Sequence, residues 1–323
     1  MLGKYLNSGS RMLVAQQRAA MSSWSGLTAA PADPILGLND AFKKDTNPKK
    51  ALLGMGVYRD NDNKPYILPC VRLAEQRILE KDMDHEYAGI EGIPSFIRNS
   101  QKLAFGENHP AFKEDRIAGA QSISGTGSLR LGLTFFAQHY PHKDINFMVP
   151  AETWPIHRNL AELVGYKWTP YRYFDPVTKG LNFDGMMEDL NNAKDGSAAM
   201  FHVCAHNPTG VDPTPKQWET VLETVLRKKM FSCFDSAYQG FATGCLEKDA
   251  YSLRLFAEHT DNLCLFQSFA KNFGIYGERA GVFSVVTGSK AEKDVVNSRI
   301  KQIARPIYSN PPIHGARIVD IIL

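Results

Sequence analysis

The sequence predicts an α/β protein: a mainly parallel sheet sandwiched by helices. Three observations carry that reading. Short apolar runs of strand length recur along the chain, amphipathic helical stretches separate them, and the runs are nearly continuously apolar, as in strands buried on both faces. The runs cover residues 146–149, 198–205, 230–234, 263–269 and 281–286. The best-marked helix starts at Thr214, where Thr214-Pro215-Lys216-Gln217 makes a capping box with proline at the first helical position. Trp218, Val221, Leu222, Val225 and Leu226 then form one stripe. A second stripe, Leu129, Leu133 and Phe136, follows the small-residue turn Ser124-Gly125-Thr126-Gly127. With 323 residues, 43% of them hydrophobic and 22% charged, the chain is long enough for a large core.

A net charge of +3 with no basic run in the body argues against nucleic acid, and no window is apolar enough to span a membrane. Cys70, Cys204, Cys233, Cys245 and Cys264 are odd in number and show no paired metal spacing, so they read as buried thiols in a reducing compartment. His202 and His206 stand four apart in a strand-to-loop context and read as a structural pair; no metal is expected. The first thirty residues differ from the rest. No acid precedes Asp33, and Lys4, Arg11 and Arg18 recur every seven residues, opposite Leu2, Tyr5, Leu6, Met12 and Leu13 on a helix. That is the composition of a mitochondrial presequence, or, given Gly3, Ser8, Gly9 and Ser10, of a disordered tail.

Ligands in such folds collect at the carboxyl ends of strands, and the candidate chemistry falls there. Lys271 ends the apolar run 263–269, with Ser268 before it and Arg279 eight residues after it. These are the parts needed to hold an aldehyde and a phosphate together: a lysine for a Schiff base, and a hydroxyl and a guanidinium for phosphate oxygens. This is the chemistry of pyridoxal phosphate. Asp235 follows another strand and can pair with a protonated pyridine nitrogen, with Tyr238 three residues on. Tyr238 and Asn207 can donate to the cofactor's ring oxygen; His206-Asn207-Pro208-Thr209-Gly210 also suits a plain turn. Gly125 and Thr126 sit where helix-entry amides attract phosphate, though a small-residue turn there is equally ordinary. Trp154 is placed either to stack on a flat ring or to fill core, and Arg305 is either a carboxylate clamp or a surface arginine.

Taken in order, these segments resemble the aspartate aminotransferase family, its mitochondrial members above all, from about Pro34 to Leu323. The resemblance is carried by Gly56-Val57-Tyr58-Arg59-Asp60, Glu86-Tyr87, Ser124 to Gly127, His206 to Pro213, Asp235-Ser236-Ala237-Tyr238-Gln239-Gly240-Phe241, Gln267 to Arg279, and Ser309 to Arg317. It implies PLP-dependent transferase fold type I and reversible amino transfer between aspartate and 2-oxoglutarate. It makes Lys271 the Schiff-base lysine and proton shuttle, and Asp235 the pyridine partner, supported by His157. Trp154 would stack on the ring, with Asn207 and Tyr238 on its oxygen. Gly125, Thr126, Ser268 and Arg279 would hold phosphate, and Tyr87 would reach the neighbouring subunit's cofactor. Gly56 would line the substrate pocket with Trp154 and Asn207. Arg305 would cross a homodimer interface to the side-chain carboxylate of a dicarboxylic amino or oxo acid.

Residues 1–30 are then a presequence-like segment, 31–64 an arm and part of a small domain, and 65–323 the large cofactor-binding domain, in a mitochondrial matrix enzyme. Three departures stand out: Glu152 where the family has proline, Ile156 where it has asparagine, and Ser128 where it has alanine. The family pattern continues past Leu323 into most of a small domain and an arginine for the α-carboxylate, so the small domain is expected to be incomplete here. That leaves an alternative reading, a truncated and weakly active or inactive paralogue that keeps PLP binding and dimerisation. It carries the expectation of transamination at least ~100-fold slower than in a longer relative.

Overall fold

A computed structural model describes residues 22–31, 37–54, 56–142 and 144–323. The basic face formed by Lys4, Arg11 and Arg18 lies outside them. Two compact units are present, Met1–Gly56 and Val57–Leu323. In the first, the helix Gly37–Lys44 has Asp40 in its first turn and Lys43 and Lys44 in its last, each sign matched to the helix dipole. Lys50 Nζ donates to the carbonyls of Phe42 and Asp45, both at 2.6 Å.

The second unit is organised by a seven-stranded sheet. In chain order its strands are β1 (Ile117–Ile123), β2 (Phe147–Pro150) and β3 (Trp168–Tyr171), then, after a small hairpin of β4 (Phe174–Asp175) and β5 (Gly180–Leu181), β6 (Ala198–His202), β7 (Phe231–Ser236), β8 (Leu263–Ser268) and β9 (Ala280–Val286). The spatial order is β1-β9-β8-β7-β6-β2-β3. β3, β2, β6, β7 and β8 run parallel, and β9 is antiparallel to both β8 and β1. Strands β6 to β9 are buried almost throughout because helices cover both faces. On one face Phe201 and Phe234 meet Trp218 and Phe256; on the other Phe266 and Phe283 meet Leu129 and Leu133.

The five strands expected from apolar runs are present, with shifted ends. The run 198–205 is the largest shift: pairing stops at His202, and Ala205 takes φ +49° as the chain turns away. The helix Pro215–Arg227 has the expected capping box, with Gln217 N donating to Thr214 Oγ1 at 3.3 Å and Thr214 N to Gln217 Oε1 at 2.8 Å. Its stripe needs one correction. Trp218, Val221, Leu222 and Val225 are buried, but Leu226 is 40% exposed; successive residues turn by about 100°, which carries Leu226 past the rim of the face. Among the described residues no helix is long and apolar enough to cross a membrane. Cys204, Cys233 and Cys264 are buried as expected, but Cys245 is only half-buried and Cys70 is exposed, in the first turn of the surface helix Pro69–Glu80.

Candidate active site

Three adjacent parallel strands end together, with His202 at the end of β6, Asp235 near the end of β7 and Ser268 at the end of β8. Asp235 lies in register with His202 and is 8% exposed. Its Oδ2 is 2.9 Å from His157 Nε2, and His157 Nδ1 is 2.7 Å from Thr153 Oγ1. A carboxylate oxygen accepts, so Nε2–H donates to Asp235, and Nδ1 shares a hydrogen bond with the Thr153 hydroxyl. The segment that does this is the turn between β2 and the helix Ile156–Leu163, which places a fully buried imidazole beside a carboxylate 78 residues away. Trp154, on the same turn, is edge-on to His157 with ring centroids 5.8 Å apart.

His202 and His206 are the close pair expected, with ring centroids 4.4 Å apart, and Tyr173 stacks on His206 at 3.8 Å. Burial, with His206 and His157 nearby, holds His202 well below the usual imidazole range, and burial followed by His157 pulls His206 down to about 3. Both rings are therefore neutral at pH 7. Ligand atoms of His157, His202 and Asp235 lie within 4.8 Å of one another, but an ion bound there would have to break the His157–Asp235 bond. Asn207 is half-buried in a turn. Gly210 N donates to the His206 carbonyl at 2.7 Å, and Asp212 accepts the amides of Ala205 and His206 at 2.6 and 2.9 Å.

The second cluster is a candidate anion cradle. The helix Ser124–His139 starts where β1 ends, and Ser124 takes φ +58° to make the change of direction. Its amide donates to the Arg279 carbonyl at 3.1 Å, and its hydroxyl lies 3.0 Å from that of Ser268. The next amides of the helix, on Gly125 and Thr126, belong to the first turn, which has no intrahelical acceptor for them. A Cβ on Gly125 would stand 3.1 Å from Ser268 Cβ, so glycine keeps the floor of the cradle open. A Cβ on Gly281 would be 2.6 Å from the Gln267 carbonyl and 2.8 Å from Ser124 Cα, so this close backbone approach admits only glycine. Arg279 Nη1 donates to the Tyr276 carbonyl at 3.0 Å.

Lys271 follows β8 by three residues and is half-buried, its Nζ 4.9 Å from the centre of the Tyr276 ring. Burial, then the Arg279 charge, pulls its ammonium below the usual lysine range. Tyr238 moves the other way: burial, with Asp235 and Tyr276 nearby, pushes its phenol up and keeps it a neutral donor. Lys271 opens into a cavity of about 240 Å³ shared with Tyr58, Tyr66, Leu68, Phe241 and Gly274. Two roomier clefts, of about 470 and 800 Å³, are lined by surface ion-pairing residues such as Lys301 and Arg254 and contain none of the groups above. The chemistry, not the volume, singles out the smaller one.

Three expected site residues are exposed. Tyr87 is 83% exposed, and Arg305 is exposed with its guanidinium on Ser309 Oγ at 2.6 Å. Gly56 ends the other unit and is exposed. The departures noted above have partners here. Ser128 Oγ donates to the Val282 carbonyl at 3.0 Å, Glu152 Oε2 accepts the Phe174 amide at 3.2 Å, and Ile156 packs into the core beneath the site. Thr153 and Tyr276 carry no sequence signal of their own, being an isolated loop threonine and a tyrosine in an otherwise recognisable segment.

An amine with a lowered pKa, a carboxylate braced by a buried imidazole and a helix entry with two facing hydroxyls all lie at the carboxyl edge of an α/β sheet, a set of groups that could hold a phosphorylated carbonyl cofactor. The chain belongs to the aminotransferase class I and II family, whose pattern matches residues 48–323. It is 47% identical over 315 residues to the mitochondrial aspartate aminotransferase of Schizosaccharomyces pombe, covering 98% of this chain and 71% of that one. The fold matches the cytoplasmic aspartate aminotransferase of Saccharomyces cerevisiae with a TM-score of 0.88 and 38% identity, over 93% of this chain and 74% of that one. It matches equally, at TM-score 0.88 and 41% identity, an aromatic-amino-acid aminotransferase from Burkholderia pseudomallei covalently bound to pyridoxal phosphate, over 93% of this chain and 75% of that one.

Proposed function

We propose that the chain is a pyridoxal-phosphate-dependent aspartate aminotransferase, moving an amino group reversibly between L-aspartate and 2-oxoglutarate to give oxaloacetate and L-glutamate. The observation that carries this is the half-buried Lys271, its pKa lowered, within one strand-end cluster with Ser268 and Asp235. The residues fit the cofactor: the open floor at Gly125 and the paired Ser124 and Ser268 hydroxyls suit a phosphate, and the raised pKa of Tyr238 suits a donor to a ring oxygen. Bound pyridoxal phosphate supplies an aldehyde and a ring that draws electrons from the substrate.

The protein's own groups do the rest. Lys271 would hold the cofactor's aldehyde and carry a proton at Nζ to and from the substrate's α-carbon, and burial shifts the amine toward the neutral form that this needs. Asp235, held by His157, would pair with the cofactor's pyridine nitrogen, and Trp154 would lie against its ring. Asn207 and Tyr238 would donate to its ring oxygen, while Gly125, Thr126, Ser268 and Arg279 would hold the phosphate. Arg305 and Tyr87 would serve the partner's site in a homodimer, Arg305 selecting dicarboxylic substrates, and their exposure fits residues that act across an interface. Residues 65–323 form the cofactor domain and 31–64 an arm and part of a small domain, working in the mitochondrial matrix.

Identity near one half across most of the chain favours a working transaminase over an inactive relative. Lys271→Ala tests the assignment. Aspartate-to-2-oxoglutarate transfer by the purified protein should fall at least ~10³-fold, the range for removing a proton-transferring group. Borohydride should fix cofactor to the peptide containing residue 271 in the parent and not in the variant. Fixation at another lysine, or full activity in the variant, overturns the proposal.

A further inference from the structure

Asp249 is 2% exposed, yet its carboxylate meets four neutral donors: the amides of Gly240 (2.8 Å), Ala242 (3.1 Å) and Thr243 (3.0 Å), and the Thr243 hydroxyl (2.6 Å). A buried carboxylate without a cation is costly unless its lone pairs are filled, and four donors are about what two oxygens accept. All four come from one exposed loop, residues 240–244, bounded by Gly240 at φ +93° and Gly244 at φ +78°. The loop has little else to hold its tip. Within it Phe241 N donates to the Tyr238 carbonyl at 2.8 Å, and Cys245 N to Thr243 Oγ1 at 3.2 Å.

The loop carries Phe241, 57% exposed, to the wall of the cavity onto which Lys271 opens. Its root is tied to the lysine turn: Gln239 Nε2 donates to the Leu103 carbonyl at 2.9 Å, and the Gln239 carbonyl accepts Asn272 Nδ2 at 3.4 Å, one residue past Lys271. Gln239 therefore fixes where the loop leaves, and Asp249 fixes where its tip goes. We infer that Asp249 is a positioning residue which, through the 240–244 loop, holds Phe241 as one apolar wall of the substrate cavity. This rests on the transaminase reading for the identity of the substrate, but not for the placement of the wall.

The test uses holoenzyme of Asp249→Asn, which keeps size and shape, Phe241→Ala, and the pair together. Two readouts are taken: KM and kcat for aspartate, and the rate at which hydroxylamine strips cofactor from Lys271, which reports access without turnover. Asp249→Asn should raise KM about tenfold while kcat stays within about twofold, and stripping should quicken about fivefold, since a misplacement of ~1 Å away from the chemistry costs up to ~100-fold. Phe241→Ala should do the same, and the double variant should be no worse than Phe241→Ala alone, because residues acting through one element do not add. Multiplicative effects in the double variant would overturn the inference. So would a lowered thermal midpoint for Asp249→Asn with KM and stripping unchanged, the signature of a loop brace. If the parent turned over no aspartate, the transaminase reading would fail while the stripping cycle still decided the role of Asp249.

Discussion

Replacing Thr153 by valine removes one hydroxyl and leaves the shape of the side chain. The hydroxyl is the partner of His157 Nδ1 at 2.7 Å, and the ring is fully buried with its other nitrogen committed to Asp235. Valine therefore strands one polar atom in the interior, at a cost of about 1–3 kcal/mol. Folding entropy near 2.1 cal/mol/K per residue, over the roughly 270 residues of the second unit, turns about 2 kcal/mol into a fall of ~3–4 °C in the thermal midpoint. Activity should drop too. With Nδ1 unheld the imidazole is free to rock, Asp235 loses its fixed orientation, and kcat should fall about tenfold, or ~1.4 kcal/mol of transition-state stabilisation. Thr153→Ser is the control, because it restores the hydroxyl and removes only a methyl. Differential scanning fluorimetry and a steady-state aspartate assay read both quantities. Wild-type values for Thr153→Val would show that the hydroxyl does not serve His157. Equal losses in the serine and valine variants would show that the position tolerates no change of any kind, and the effect could not then be assigned to the hydroxyl.

Stability should weaken in mild acid through the buried histidines. His206 has its folded pKa depressed to about 3 by burial and His157, against an unfolded value near 6.5, so the unfolded chain binds the extra proton between those limits. The contribution is fully present above about pH 6.5 and is lost as pH falls towards 3, at up to ~1.4 kcal/mol per pH unit. His206→Gln should flatten the decline in denaturant midpoint between pH 6.5 and 5, and an unchanged slope would refute the linkage. Residues 1–30, acid-free up to their end with basic residues at 4, 11 and 18, should carry a fused fluorescent protein into mitochondria. Diffuse cytosolic fluorescence in microscopy would count against the import signal.

How much of this was legible in the sequence depends on what each element needs in order to be recognised. β2, β6, β7, β8 and β9 announce themselves because burial on both faces demands unbroken apolar runs. β1 does not, though it is equally buried, because Gly119, Gln121 and Ser122 interrupt it. Tertiary contacts explain two of these interruptions. A Cβ at Gly119 would stand 2.5 Å from the Phe283 carbonyl, and Gln121 accepts the Ile93 amide at 3.1 Å and donates to the Pro312 carbonyl at 2.6 Å. β3 is hidden for the opposite reason: as an edge strand it tolerates Pro170 and needs no apolar run.

The site divides along the same line. Groups proposed to act on a ligand, such as Lys271, Ser268, Arg279 and Asp235, stand in sequence contexts that constrain them locally, at strand ends and helix entries, and a reader of the chain can find them. Groups that act on those groups cannot be found that way. Thr153 works through a ring four residues on, against a carboxylate 78 residues beyond that ring, and Asp249 works through amides six to nine residues before it. Their residue types are commonplace at loops and helix ends, and only the fold turns them toward a single atom. The support of a site is therefore where sequence reading runs out first. It is also where substitutions should change rate or affinity while leaving every recognisable motif intact, as Thr153→Val and Asp249→Asn are expected to do.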